Sequence, residues 1–252
     1  MKRFLACLAL LALAGGAQAQ ERRPEGGGMH GGPGGGSRFS YANPSAAIAA
    51  EIAFAQLARE KGQWTAFAAT AADDAVMFTP EMTLAHPWLK GRANPPVPLT
   101  WQPHEVWSSC DGSLMVTTGA WQKADKHGWF TTVWQRQEKG GYKWVFDHGD
   151  ATKEPIAAPD MIGAHVATCP ERRAGPRSGG TPPGSHGKPG KPQKPAKAPP
   201  VPFDPTKREG RSTDGTLTWR VTADASGTHD FAAQMQVEGQ AQEIRNEHVA
   251  GG

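Results

Sequence analysis

Only three cysteines occur in the 252 residues of this chain, and several local patterns that announce a chemistry are missing altogether. The nine histidines are scattered, with no His-x-His, no HExxH and no cysteine pair at ligand spacing, so no metal site is expected. The glycine run near the start is not followed by Gly-Lys-Ser/Thr, which removes the phosphate-loop reading. No serine sits in a Gly-x-Ser-x-Gly elbow, and no segment is apolar for long enough to span a bilayer. No cofactor is expected. Charge of neither sign dominates, with 27 Lys and Arg against 24 Asp and Glu.

What is present begins with the ends. Residues 1–19 read as a secretory signal: Lys2 and Arg3, an apolar run from Phe4 to Ala14, and the small-residue site Ala17-Gln18-Ala19. Export to the periplasm or beyond is therefore expected. Cys7 leaves with the signal, and Cys110 and Cys169 remain in a compartment where disulfides persist, so they are expected to pair. Residues 20–42 are a glycine-rich leader with too little apolar surface to fold. Residues 171–211 form a Pro/Lys/Gly linker in which ten Lys or Arg face three acids. Within it Lys188, Lys191, Lys194 and Lys197 recur every three residues, the period of polyproline II, so their charges would share one edge. That edge suits an anionic envelope polymer as a tether, or else is a solvated spacer; nucleic acid is not indicated, because no aromatic residues are interleaved for base stacking.

The folded part is placed at 43–170. A helix is expected from Asn43 or Ser45, through Ile48, Ile52 and Ala55 on one face, to Gly62, and a shorter one from Trp64 to about Ala71. A strand from Ala75 to Thr79 closes at Pro80, and the prolines up to 98 leave room only for a helical turn around Trp88. Four strands follow, Leu99–Ser109, Leu114–Gln122, Trp129–Gln137 and Tyr142–Gly149, joined by glycine turns. The fold class is α+β: a cone-shaped, curved antiparallel sheet packed on N-terminal helices. Both sheet faces carry large apolar side chains, which calls for two covers, the helices and a second copy of the chain. Residues 212–252 alternate like two or three strands, a β-rich tail too small for its own core that docks on the first domain or remains a marginal hairpin.

Helix, helix, the strand ADDAVMFTP, a proline-broken connection and a meander ending in GYKWVFDHGD together resemble the nuclear transport factor 2-like superfamily, and within it exported bacterial proteins of the SnoaL-like or polyketide-cyclase-like kind. The resemblance runs from Ala49 to Asp150. It implies a cone with a pocket at its open end, often in a homodimer formed through the sheet. Ketosteroid isomerases of this superfamily have a basic aspartate just before the proline that ends the first strand. Here Thr79 stands at that place, and Glu81 two residues on is a possible substitute.

If the last strand alternates strictly, Trp144, Phe146, His148 and Asp150 share one face, taken as the concave one. A pocket bounded by these four, by Thr79 and Trp64, and by His86 and Trp88 on a lid segment follows. His148, Asp150 and Glu81 are its catalytic candidates, although His148 could equally hold the strand end by a hydrogen bond. The function expected is non-catalytic binding of a small apolar or aromatic molecule. The alternative is an isomerase, cyclase or hydrolase using the histidine–carboxylate pair.

Overall fold

In the computed structural model the described residues are 41–169 and 202–251. The signal, nearly all of the leader, and Lys188, Lys191, Lys194 and Lys197 lie outside them. Helix α1 (Pro44–Lys61) starts on Pro44, whose fixed φ suits a first turn, and ends with Arg59 and Lys61 beside its free carbonyls. Gly62 stops it at φ 98°, and α2 (Gln63–Thr70) begins at once. Asn94 caps that second start, its Oδ1 accepting the N–H groups of Trp64 and Thr65 at 2.7 and 3.1 Å. A Cβ on Gly62 would lie 2.3 Å from the Asn94 side chain, so both the backbone angle and the close approach require glycine there.

The strands are β1 (Ala71–Phe78), β2 (Met82–Leu84), β3 (Thr100–Ser108), β4 (Leu114–Lys123), β5 (Lys126–Arg136), β6 (Tyr142–Ala151) and β7 (Gly163–Val166), with a short helix α3 (Ala85–Leu89) after β2. They form one sheet in the order β2-β1-β6-β5-β4-β3-β7. The β3–β6 meander is antiparallel as expected, but β1 joins β6 and β7 joins β3 in parallel, so the sheet is mixed. Both parallel neighbours arrive over long connections that a local turn signal does not reveal. β1 also starts four residues before the expected strand, because Ala71 already pairs with Trp144.

Helix α1 lies on β3 and β4, and Phe54 from it sits edge-on to Phe67, Trp101 and Trp134 at 4.8, 4.7 and 6.1 Å. This is the aromatic core on the helix side. The opposite face is covered differently from expectation. The tail makes four strands, β8 (Lys207–Arg211), β9 (Leu217–Ala223), β10 (His229–Val237) and β11 (Gln240–Val249), in the order β11-β10-β9-β8, and β8 begins within the stretch assigned to the linker. Leu217, Trp219, Val221, Phe231, Ala233 and Met235 alternate inward and are all buried. Phe231 stacks on Phe146 at 5.0 Å, Trp219 meets the same ring at 5.2 Å, and His229 stacks on Phe78 at 3.5 Å. The chain's own second sheet thus covers the face for which a second copy was expected. The tail escapes the marginal state because it shares the first sheet's apolar surface instead of building a separate core.

Cys110 and Cys169 are bridged, with Cα atoms 5.1 Å apart, as the cysteine count predicted. The bridge holds the chain after β7 between the two sheets. Beside it the Thr168 N–H donates to Gln236 O at 2.8 Å, and the Glu238 N–H to Thr168 Oγ1 at 2.9 Å.

Candidate functional site: an aromatic cavity with a buried carboxyl

The wall between the cavity and the second sheet is decided by one residue. Along β5 and β6, Val133 pairs with Phe146 but Trp134 pairs with Trp144, so Val145 is an extra residue in the strand, a β-bulge. A bulge moves every later side chain to the other face. Trp144 stays on the helix side, where its indole N–H donates to Phe67 O at 3.2 Å and Thr70 Oγ1 at 3.0 Å. Phe146 and His148 face the second sheet, and Asp147 faces the cavity. The strict alternation read from sequence is thereby corrected.

The cavity measures about 260 Å³. Rings from α1, α2 and the sheet line it, among them Trp64, Phe67, Trp101, Trp121 and Phe130, together with Met77, Thr79 and Leu99. Asp147 is the acidic group in that lining. The Thr132 hydroxyl donates to its Oδ2 at 2.7 Å, and no other hydrogen bond reaches its carboxyl among the described residues. Removal from water pushes its pKa up to about 7, the Thr132 bond opposing and the charge of Glu51 adding to the rise.

Glu51 itself is fully buried on α1 and ties the helix to three strands. Its carboxylate accepts Trp101 Nε1–H at 2.8 Å, Thr117 Oγ1–H at 2.6 Å and Trp134 Nε1–H at 2.9 Å. Burial raises its pKa, and the three donors act against that rise. Of the rings that line the cavity, Trp101 is therefore held in place by the Glu51 carboxyl behind it.

The residues expected to form the site are partly dispersed. Thr79 and Trp64 line the cavity. His148 adds to its wall, but its ring turns away: Nε2 lies 2.8 Å from Glu247 Oε2, and Nδ1 lies 3.0 Å from His229 Nε2. Asp150 is exposed and accepts the neighbouring Ala151 N–H at 2.7 Å, so the expected His148–Asp150 pair does not form. Glu81 is exposed in the turn after Pro80 and is not in the lining. Trp88 sits edge-on to Trp64 at 5.1 Å beneath the Arg92 guanidinium, and the buried Nε2 of His86 has no hydrogen-bond partner among the described residues. Neither Trp88 nor His86 is in the cavity lining; Trp88 backs Trp64, which is.

Glu51 was not singled out from sequence, and Asp147, which belongs to the titratable cluster Asp147-His148-Asp150, falls on the face opposite the expected pocket under strict alternation. Glu51 carries a readable signal, since it interrupts an apolar stripe formed by Ala47, Phe54, Ala55 and Ala58. The place of Asp147 in the cavity carries none until the bulge is known.

No family model matches the chain, and no curated protein matches it. Among solved structures, the chain is similar to a protein assigned as a ketosteroid isomerase from Kribbella flavida, at 12% identity and TM-score 0.33, over 47% of this chain and 86% of the other. It is also similar to a nuclear transport factor 2-like protein of unknown function from Burkholderia xenovorans, at 16% identity and TM-score 0.30, over 46% and 91%. An LEH-like epoxide hydrolase from M. tuberculosis is similar at 20% identity and TM-score 0.29, over 43% and 81%.

Proposed function

We propose that the chain is an exported protein that binds a small, largely apolar molecule in the aromatic cavity, with Asp147 as the polar contact. The observation that carries this is the cavity of about 260 Å³ in which aromatic rings surround a carboxyl with an oxygen left over for a ligand. Its size suits a ligand below drug dimensions, and one group able to share a proton or hydrogen bond with Asp147 would fix its orientation. Export is supported by the signal-like first twenty residues and by the bridged cysteines. The lysine edge of the linker would hold the protein at an anionic envelope surface.

Native mass spectrometry of protein purified from its own host tests the binding. A small molecule released on denaturation from the wild type, and depleted in Asp147→Asn and Trp64→Ala, supports the reading. Empty protein under every native condition overturns it. Sequencing of the secreted or periplasmic form should find Gln20 at the new N-terminus.

A second reading is favoured by one observation, the Asp147 pKa of about 7, which suits a general acid or base at neutral pH. Here Asp147 replaces His148, Asp150 and Glu81 as the proton-transferring candidate. Turnover of the released molecule by wild type, with binding retained and turnover lost in Asp147→Asn, would decide for catalysis.

A further inference from the structure

The second sheet repeats the first. The turn Ser109-Cys110-Asp111-Gly112-Ser113-Leu114 joins β3 to β4, and Ser212-Thr213-Asp214-Gly215-Thr216-Leu217 joins β8 to β9. Each serine hydroxyl donates to the aspartate Oδ1, at 2.8 and 2.6 Å, and each residue after the glycine donates its N–H to the same oxygen, at 2.9 and 3.0 Å. Each leucine N–H returns to the serine Oγ, at 3.2 and 3.0 Å. Such a turn alone could recur by chance.

The strand registers make chance a poor account. Leu114 pairs with Gln135 in the first sheet, and Leu217 pairs with Met235 in the second. The bulge recurs as well: where Val133 pairs with Phe146 and Trp134 with Trp144, Ala233 pairs with Arg245 and Gln234 with Glu243, leaving Ile244 as the counterpart of Val145. Residues 110, 113, 131 and 148 thus correspond to 213, 216, 231 and 247.

Contacts between the sheets come in exchanged pairs. The Cys110 N–H donates to Thr216 Oγ1 at 3.0 Å, and its counterpart Thr213 N–H donates to Ser113 Oγ at 2.8 Å. Thr131 donates to Glu247 at 2.8 Å, and their counterparts Phe231 and His148 are ring neighbours at 5.1 Å. His148 and Glu247 correspond to each other and meet at 2.8 Å. Residue i touching j while the counterpart of j touches the counterpart of i is the signature of a two-fold, isologous interface.

We propose that β8–β11 is a reduced second copy of β3–β6 and occupies, within one chain, the place that a partner subunit's sheet takes in a two-fold dimer, with the axis passing between His148 and Glu247. Among the described residues the copy has no counterparts of α1, α2 and β1. The outer face of the first sheet is satisfied internally, and the full chain is a monomer.

The test uses the full chain with a protease site placed in residues 171–200. Both cysteines lie before that site, so cleavage leaves no covalent link to the C-terminal piece. Sedimentation should show the uncut chain as a monomer over a wide concentration range, and the cut chain as a stable one-to-one complex of the two pieces. In the cut protein, His148→Ala and Glu247→Ala should each weaken the complex by about 10-fold or more, because each strands one member of the axial pair. Reversible dimerisation of the uncut chain, or release of the C-terminal piece under native conditions, would overturn the proposal. So would wild-type affinity in both variants.

Discussion

Asp147 sits where an aromatic wall opposes its ionisation and a single hydroxyl supports it. With its folded pKa near 7 and an ordinary value of 3.8, the folded state keeps a proton that the unfolded chain releases between these two pH values. The folded state binds more protons across that window, so stability falls as pH rises through it and levels off above 7. Asp147→Asn removes the ionisation and can still accept the Thr132 hydrogen bond. The variant should match wild type near pH 4 and exceed it by about 2–4 kcal/mol at pH 8, as read by urea denaturation at both pH values. A constant difference between the two would place the carboxyl in water instead. Glu51 poses the opposite case. Glu51→Ala leaves the indole N–H of Trp101 without its acceptor and the carboxylate's volume empty, and should cost about 3–5 kcal/mol in the same experiment. Because Trp101 lines the cavity, ligand release should rise in that variant even where the fold survives.

Among the elements, β6 is the one whose reading decided the site. Helix limits, the meander and its turns were legible because proline, glycine and the apolar periods act locally: α1 ends at Gly62, and β4 begins after the Asp-Gly turn. The bulge at Val145 was not legible, since it arises from pairing with β5, and it turned Phe146 and the polar ring atoms of His148 toward the second sheet while bringing Asp147 in. The second sheet gives β6 its own test. Phe146→Ala and Phe231→Ala should each cost about 3–5 kcal/mol, with a coupling of about 0.5–1.5 kcal/mol in the double mutant. Independent effects would mean that the two rings do not pack together. The bridge belongs to this scale too: Cys110→Ser with Cys169→Ser opens a loop whose ends are 59 residues apart and should lower stability by about 3–4 kcal/mol, seen as a lower urea midpoint.

At the scale of the whole molecule, the sequence by itself determined the two helices, the meander, the apolar demand on both sheet faces and the pairing of the cysteines. Each follows from residues close in the chain, or from a count with one solution. It also held the repeat in plain view, as SCDGSL and STDGTL, though four identities in six residues signal nothing until the strands beside them share a register. Tertiary structure alone decided what covers the outer face and which carboxyl reaches the cavity. The reason is that strand alternation states only that two faces exist; which face is inward at a given residue depends on the hydrogen-bond ladder of the neighbouring strand. Likewise an apolar face asks for a partner without naming one, and here the partner lies in the same chain, in residues 207–249.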